Sequence, residues 1–383
     1  MTQYFAKIEN RLAKYKSRYQ QHPKKVALKL IWWNLCYLFS ICKHKISFND
    51  DKQHIAIVFA GGVGDYIYAA KYVEALTKYL SNDCVVDVLC PECDIPTIQA
   101  IFYDKKYINK VLSQEIKTEY DLHIRLVRFP VILSYVEKRL DAKTLEYVHK
   151  LENFHRENPL IIFNDYMGRC WSLLKGRVRE DQADIDDILN MKQLKFEINI
   201  PANEKQILNK FGLEKQKFIT LQTGSGVHFQ DVTNEVRQWP VENYGKLAQS
   251  LKKSYPQYKI IQLGAVRQNK CQNLDIDLRG QTTIEELFVL LKYAKLHISQ
   301  EGGMPIIRHF VQGGMSIVLF GPTDERFFGF EENVNLNART CPVCCEWLTN
   351  DWMKKCLKSN GMSECMKNIT VDSVMENIRK VLL

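Results

Sequence analysis

No stretch of these 383 residues reaches the about 20 uninterrupted apolar positions that a membrane-crossing helix needs. The nearest, "VALKLIWWNLCYLFSIC" at 26–42, is broken by Lys29 and Asn34 and is at best marginal for crossing a bilayer. No small-residue cleavage site follows it, which argues against a secretory signal and places the bulk of the chain in the cytoplasm. Acids are scarce where bases gather: the first 25 residues carry Lys7, Arg11, Lys14, Lys16, Arg18, Lys24 and Lys25 against Glu9 alone. Repeats and low-complexity tracts are missing, which excludes solenoids and biased disordered segments.

What is present reads as a soluble globular protein, 46% hydrophobic and 25% charged, long enough for two domains. A net charge of +9 implies an anionic partner such as phosphate, nucleic acid or a membrane surface, without choosing among them. The arm at 1–50 has two readings. It is an interfacial helix that rests Trp32, Trp33, Tyr37 and Phe39 among headgroups while its lysines meet anionic lipid, or a helical hairpin packed on the body. Of twelve cysteines, Cys36, Cys42, Cys84, Cys90, Cys93, Cys170 and Cys271 sit in apolar contexts and read as small core residues. The other five cluster between 341 and 365.

"HIAIVFA" at 54–60 is a short apolar run ended by glycines, the pattern of a buried strand. Tyr66, Ala69, Ala70 and Val73 then recur at helical spacing, predicting a helix from Asp65 to about Leu80. "CVVDVLC" at 84–90 is the next strand, so the three form a βαβ unit with parallel strands. "YDLHIRL" (120–126) and "PLIIFND" (159–165) continue the pattern, with helical material at 131–155. The acid-rich stretch 180–193 precedes a link between domains near 195–205. A second series follows: strands at "FITLQ", "KIIQLGA", "LHISQ" and "SIVLF", with helices at 240–255, at "TTIEELFVLLKYA" and at "MPIIRHFVQ". Two consecutive open α/β domains, 51–200 and 201–383, place ligands beyond the carboxyl ends of the strands, in a cleft between the domains.

"FAGGVGDYIYAA" at 59–70 tests as a dinucleotide fingerprint and fails. Aligning Gly62 and Gly64 with the first two glycines leaves Ile67 where the third belongs. What remains is a glycine loop, Gly61, Gly62 and Gly64, open to a substrate, with Asp65 on the first turn of a helix. Asp65 is either a catalytic carboxylate or an acid favouring the helix dipole for about 0.3–1 kcal/mol. The second domain offers "TGSG" (Thr223, Gly224, Ser225), "EGG" (Glu301, Gly302, Gly303) and "GPT" at successive strand ends, whose exposed N–H groups suit phosphate. Arg237 precedes the next helix and supplies a cation for a diphosphate. Together these favour a nucleotide or nucleotide-sugar site. In "CPVCCEWLTNDWMKKCLKSNGMSEC", Cys341 and Cys344 have C-x2-C spacing, and Cys356 and Cys365 complete four sulfurs for a structural zinc or iron ion. Cys345 is left as the spare.

"IAIVFAGGVGDYIYAAKYVEAL", "TGSG", "RQWPVENYGKLAQSL", "IIQLGA", "ISQEGGM" and "VLFGPT", in that order, resemble the bacterial heptosyltransferase family, glycosyltransferase family 9. The resemblance covers most of 54–383. It implies a GT-B architecture with the acceptor on the first Rossmann-like domain and the nucleotide sugar on the second. It also implies inverting transfer of heptose from ADP-heptose to the lipopolysaccharide inner core. Asp65 falls on the family's catalytic carboxylate, and Thr223, Gly224, Ser225, Arg237, Thr283, Glu301, Gly302 and Gly303 fall around the donor. No cofactor is required for transfer, and the partners implied are the donor and the glycan acceptor at the inner face of the cytoplasmic membrane, not nucleic acid. The chain departs from the family pattern at Arg237, where lysine is common, at Glu301-Gly302-Gly303, at Ile306 and at Gln268, all on the donor side. The alternatives are a protein or other surface-glycan acceptor, a nucleotide-binding partner protein without catalysis, and, more distantly, a dehydrogenase.

Overall fold

The computed structural model describes residues 28, 48, 50–80, 83–115, 118–158, 165–224, 234–347, 352–353, 355–359 and 362–382. Most of the basic aromatic arm, all of the strand predicted at 159–165 but Asp165, which opens the helix Asp165–Leu174, and Ser225 therefore lie outside the described residues. The chain divides into two compact units, 1–196 and 197–383.

In the first unit a five-stranded sheet has the order β3-β2-β1-β4-β5. Its strands are β1 Gln53–Phe59, β2 Cys84–Cys90, β3 Lys110–Ser113, β4 Leu122–Leu126 and β5 Pro130–Tyr135. The central strand β1 is buried along almost its whole length, which is why it reads as an unbroken apolar run rather than an alternating one. β1 to β4 are parallel, and β5 runs antiparallel to β4 with an irregularity at His123/Ile124. The apolar residues at 131–133 were expected in a helix; they form this edge strand instead. Pro130 opens it, where a missing N–H costs no ladder bond, and the chain reverses through the three residues after Leu126. The helix expected there begins later, at Ala142–Glu157, where Asp141 accepts from the Thr144 N–H at 2.7 Å.

The second unit holds a six-stranded, all-parallel sheet in the order β11-β10-β9-β6-β7-β8. These are β6 Phe218–Gln222, β7 Lys259–Gln262, β8 Ile276–Asp277, β9 Leu296–Gln300, β10 Ser316–Phe320 and β11 Val334–Asn337. Counted from its own first strand, this is the doubly wound order 3-2-1-4-5-6 of dinucleotide-binding folds. Its core gathers Ile219, Leu221, Trp239, Leu247, Ile298 and Ile317. The Trp239 indole donates to the Ile369 carbonyl at 2.8 Å, tying in the segment before the last helix, Val371–Leu382. Of the cysteines expected in the core, Cys90, Cys170 and Cys271 are buried, Cys84 is half-buried and Cys93 is exposed, on the short turn that follows β2.

Candidate active site

In an open parallel sheet the strand order reverses at one point, and two loops leave the carboxyl edge there in opposite directions, opening a crevice. In the first unit that point lies between β1 and β4. The loop after β1 is Ala60–Gly62, leading into the helix Val63–Tyr79; the turn after β4 carries Val127 and Arg128. Asp65 sits on the first turn of that helix, so it faces the crevice by topology.

Gly62 is the helix N-cap, and its N–H donates to Asp65 Oδ2 at 3.2 Å. With no side chain, Gly62 cannot return the bond that would complete a reciprocal cap. Gly61 adopts φ +127°, and a Cβ there would fall 2.6 Å from Asp65 Oδ2. The glycine therefore makes room for the carboxylate itself. Nothing lies within 4 Å of a Cβ built on Gly62, and Gly64 enters the helix as its second residue.

Two arginines converge on Asp65. Arg179 donates from Nη2 to Oδ1 at 2.8 Å, and Arg128 Nη1 stands 3.9 Å from the same oxygen. Burial pushes the carboxyl up, but the Arg128 and Arg179 charges and the Arg179 and Gly62 bonds outweigh it and hold Asp65 below the ordinary aspartate value. The side chain is 30% exposed, so this ionised carboxylate remains reachable. Sequence reading missed both arginines. Arg128 lay just past a predicted strand, a position that the switch-point rule could have flagged, whereas Arg179, 114 residues from Asp65, left no local signal.

In the second unit the order reverses between β6 and β9. Their carboxyl ends lead to Thr223–Gly224 and to Glu301–Gly302, two of the expected donor loops. Thr223 is turned inward: it is 2% exposed, its hydroxyl donates to the Asn269 carbonyl at 2.6 Å, and it accepts from Gln262 Nε2 at 2.8 Å. What this loop offers a ligand is backbone. A Cβ on Gly224 would meet Gln268 at 2.8 Å, so glycine is required for that close approach. Gly302 caps the helix Gly303–Phe310 with no side-chain bond, and space around it is open. Arg237 is bound to Glu301, at 3.0 Å to its carbonyl and by a second bond to its carboxylate, and its guanidinium lies 5.7 Å from the Trp352 ring centre. Thr283 spends its hydroxyl on a reciprocal cap with Glu286, at 3.3 and 3.0 Å, so it contributes to the helix Ile284–Tyr293 rather than offering its side chain to a ligand. "GPT" leads into Asp324, whose buried carboxylate binds the Trp347 indole at 2.8 Å and Arg326 at 2.6 Å.

The cysteines sort differently from their spacing. Cys344, expected to join Cys341, points away: its sulfur lies 3.4 Å from the Thr323 carbonyl, and the charges acting on it are those of Asp324, Arg339, Glu346 and Glu325. Burial pushes its thiol far up. Cys345, the expected spare, is the one that feels Cys356, Cys341 and Cys365, and the Leu357 N–H donates to it. These surroundings make Cys345 an alternative to Cys344 beside Cys341, Cys356 and Cys365, although no three of those four sulfurs lie within 4.8 Å of one another among the described residues. Both Cys344 and Cys345 are buried, and the short turn Cys345–Trp347 begins at the second of them. Burial raises the Cys356 thiol, but the Ser359 hydroxyl and the N–H groups of Glu364, Lys358 and Ser359 outweigh it and lower it. The Lys358 bond is 3.4 Å. N–H donors around one sulfur favour thiolate, the form that binds metal. Among the described residues one group brings three ligand-type atoms within 4.8 Å, Asp324, Glu325 and Cys344, and there Arg326 and Arg339 already neutralise the carboxylates.

Two open α/β units in one chain, the second with the full Rossmann order, make an α/β protein whose fold is that of the GT-B glycosyltransferases it resembles. Solved structures share the fold. The ADP-heptose lps heptosyltransferase II of E. coli is 14% identical, covering 86% of this chain and 98% of its own, with a TM-score of 0.50. A family 9 glycosyl transferase from Veillonella parvula is 15% identical over 88% and 99%, TM-score 0.55. The iron-containing dodecameric glycosyltransferase TibC of enterotoxigenic E. coli is 12% identical over 87% and 77%, TM-score 0.55. At such identities the common property is the fold, and the family read from the ordered motifs is matched at that level. No family model matches the chain, and no curated protein matches it by sequence.

Proposed function

We propose that this chain is an inverting glycosyltransferase that takes heptose from ADP-heptose and passes it to a hydroxyl of a lipopolysaccharide inner-core acceptor. The observation that carries the reading is Asp65: an ionised, reachable carboxylate at the switch point of the first sheet, beside a loop whose Gly61 leaves it room. In the proposed reaction Asp65 takes the acceptor hydroxyl's proton as that oxygen attacks the anomeric carbon. The bond from that carbon to the diphosphate breaks on the opposite face, inverting the centre, and the pair of electrons leaves with ADP. Backbone N–H groups of Gly224, Gly302 and Gly303 and the positive end of the helix Gly303–Phe310 suit the diphosphate. Arg237 supplies its cation from the Glu301 pair. The arginines on Asp65 keep it charged at neutral pH and reduce its strength as a base, so it suits a proton transfer that completes late, when the hydroxyl has become acidic.

The same chemistry serves a protein or another surface glycan as acceptor, and the net basic charge does not separate them. The name of the iron-containing TibC motivates the further reading that the cysteine module, Cys341, Cys344, Cys356 and Cys365 with Cys345 as the alternative to Cys344, holds a structural zinc or iron ion. Such an ion would cross-link the cysteine module, and no step of transfer passes through it.

A screen of ADP-, UDP- and GDP-sugars with mass-spectrometric detection tests the donor. Asp65→Asn is expected to lower transfer by about 10²- to 10⁴-fold while donor binding by calorimetry stays within twofold. Transfer at the wild-type rate would remove Asp65 as the base. Donor binding by wild type without transfer to any acceptor would favour the non-catalytic partner reading.

A further inference from the structure

The segment 176–181 grips the helix of Asp65 at two successive residues. Arg179 is 3% exposed; its Nη2 donates to Asp65 Oδ1 at 2.8 Å and to the Val127 carbonyl at 3.3 Å, and its guanidinium lies 4.8 Å from the Tyr68 ring centre. The next residue, Glu180, accepts from Lys71 Nζ at 2.5 Å, and Lys71 is also 3% exposed. Asp65, Tyr68 and Lys71 stand three apart on one helix, so a single face receives both residues. Asp181 steadies the segment by accepting from the Val178 N–H at 3.0 Å.

The Lys71–Glu180 pair already fastens the segment. A second buried cation adds a desolvation cost that only a well-matched carboxylate offsets. Arg179 spends that cost on the one side chain whose direction matters to the reaction. We propose that Arg179 is the positioning residue for Asp65: it saturates Oδ1 and holds the carboxylate in one orientation, so that Oδ2 is the oxygen that takes the proton. The proposal rests on the reading of Asp65 as base. Oδ2 accepts one long bond, 3.2 Å, from the Gly62 N–H, and the glycine at 61 keeps that side clear. Arg128, at 3.9 Å, is beyond hydrogen-bond reach and contributes charge. The charged and titratable groups acting on this point are Arg128 from the turn after β4, Arg179 from the clamp and Tyr68 from the helix itself, with Lys71 and Glu180 paired to each other alongside.

Arg179→Met, which keeps an apolar stem over Tyr68, and Arg179→Lys, made in the full chain, test it with two readouts. Carboxyl-carbon NMR of aspartate-labelled protein, with Asp65 assigned by its loss in Asp65→Asn, needs no turnover. With one opposing guanidinium removed and burial remaining, the Asp65 midpoint is expected to rise by about one pH unit or more in the Met variant and less in the Lys variant. In turnover with the donor found by the screen, Arg179→Met is expected to lower kcat by about 10- to 100-fold with donor KM little changed. The acid limb of the pH profile should move up with the NMR midpoint, and lysine should restore part of the rate. An unmoved Asp65 midpoint in folded Arg179→Met protein would overturn the proposal, as would a moved midpoint with unaltered kcat. If the Met variant does not fold, the Lys variant carries the same two criteria. If wild type transfers from no donor, the reading of Asp65 as base falls, while the NMR midpoint still decides whether Arg179 sets its ionisation.

Discussion

Gly61 shows how much one residue decides at this site. Its φ of +127° is strained for any side chain, and an added Cβ would stand 2.6 Å from Asp65 Oδ2. Gly61→Ala is expected to cost about 1–3 kcal/mol of stability and to lower transfer beyond what the loss of folded protein explains, because the carboxylate must turn away. Paired melting and rate measurements check this; an active, fully stable Ala variant would show that the loop tolerates another path. The glycines were visible in the sequence as a loop with room, but the occupant of that room was not. Spacing places Gly61 four residues before Asp65 and says nothing about a left-handed turn folding the loop back onto the carboxylate. Arg179 was less visible still, since a residue 114 positions away meets Asp65 only when the sheet and the segment 176–181 are both in place.

Elements were legible where one periodicity ruled. The buried central strands announced themselves as apolar runs, and the helices Val63–Tyr79, Val241–Ser254 and Ile284–Tyr293 fall where spacing and caps put them. Reading failed at Pro130–Tyr135, where six residues carry no helix or strand signal strong enough to outweigh their neighbours, and pairing with β4 decides. At the cysteine turn the spacing C-x2-C, a common ligand spacing, points to Cys344, while the sulfurs whose charges act on Cys345 are those of Cys341, Cys356 and Cys365. Elemental analysis of purified protein separates the two sets. Cys345→Ser is expected to remove most of a bound metal and to lower the melting temperature, whereas Cys344→Ser should keep the metal. Loss of metal in Cys344→Ser with metal kept in Cys345→Ser would support the spacing-based set instead.

For the whole molecule the net charge of +9 and the basic arm bear on location. No helix among the described residues is long and apolar enough to cross a membrane. The arm's interfacial reading predicts that full-length protein sediments with vesicles containing anionic lipid, that deleting 1–45 releases it, and that salt weakens the attachment because exposed charges are screened. Unchanged sedimentation of the truncated chain would assign the arm to packing on the body instead.

By itself the sequence determined that the chain builds two successive α/β units, that Asp65 opens a helix after a glycine loop, and that small residues end the strands of the second half. Local periodicity and caps act over a few residues, so a linear pattern carries them. Tertiary structure decided which charges meet. It put Arg128 and Arg179 on Asp65, closed Arg237 onto Glu301, and turned the Thr223 hydroxyl inward. Each of these depends on strand order and on the direction of a single turn, and a residue's ionisation or its partner follows from what surrounds it in space.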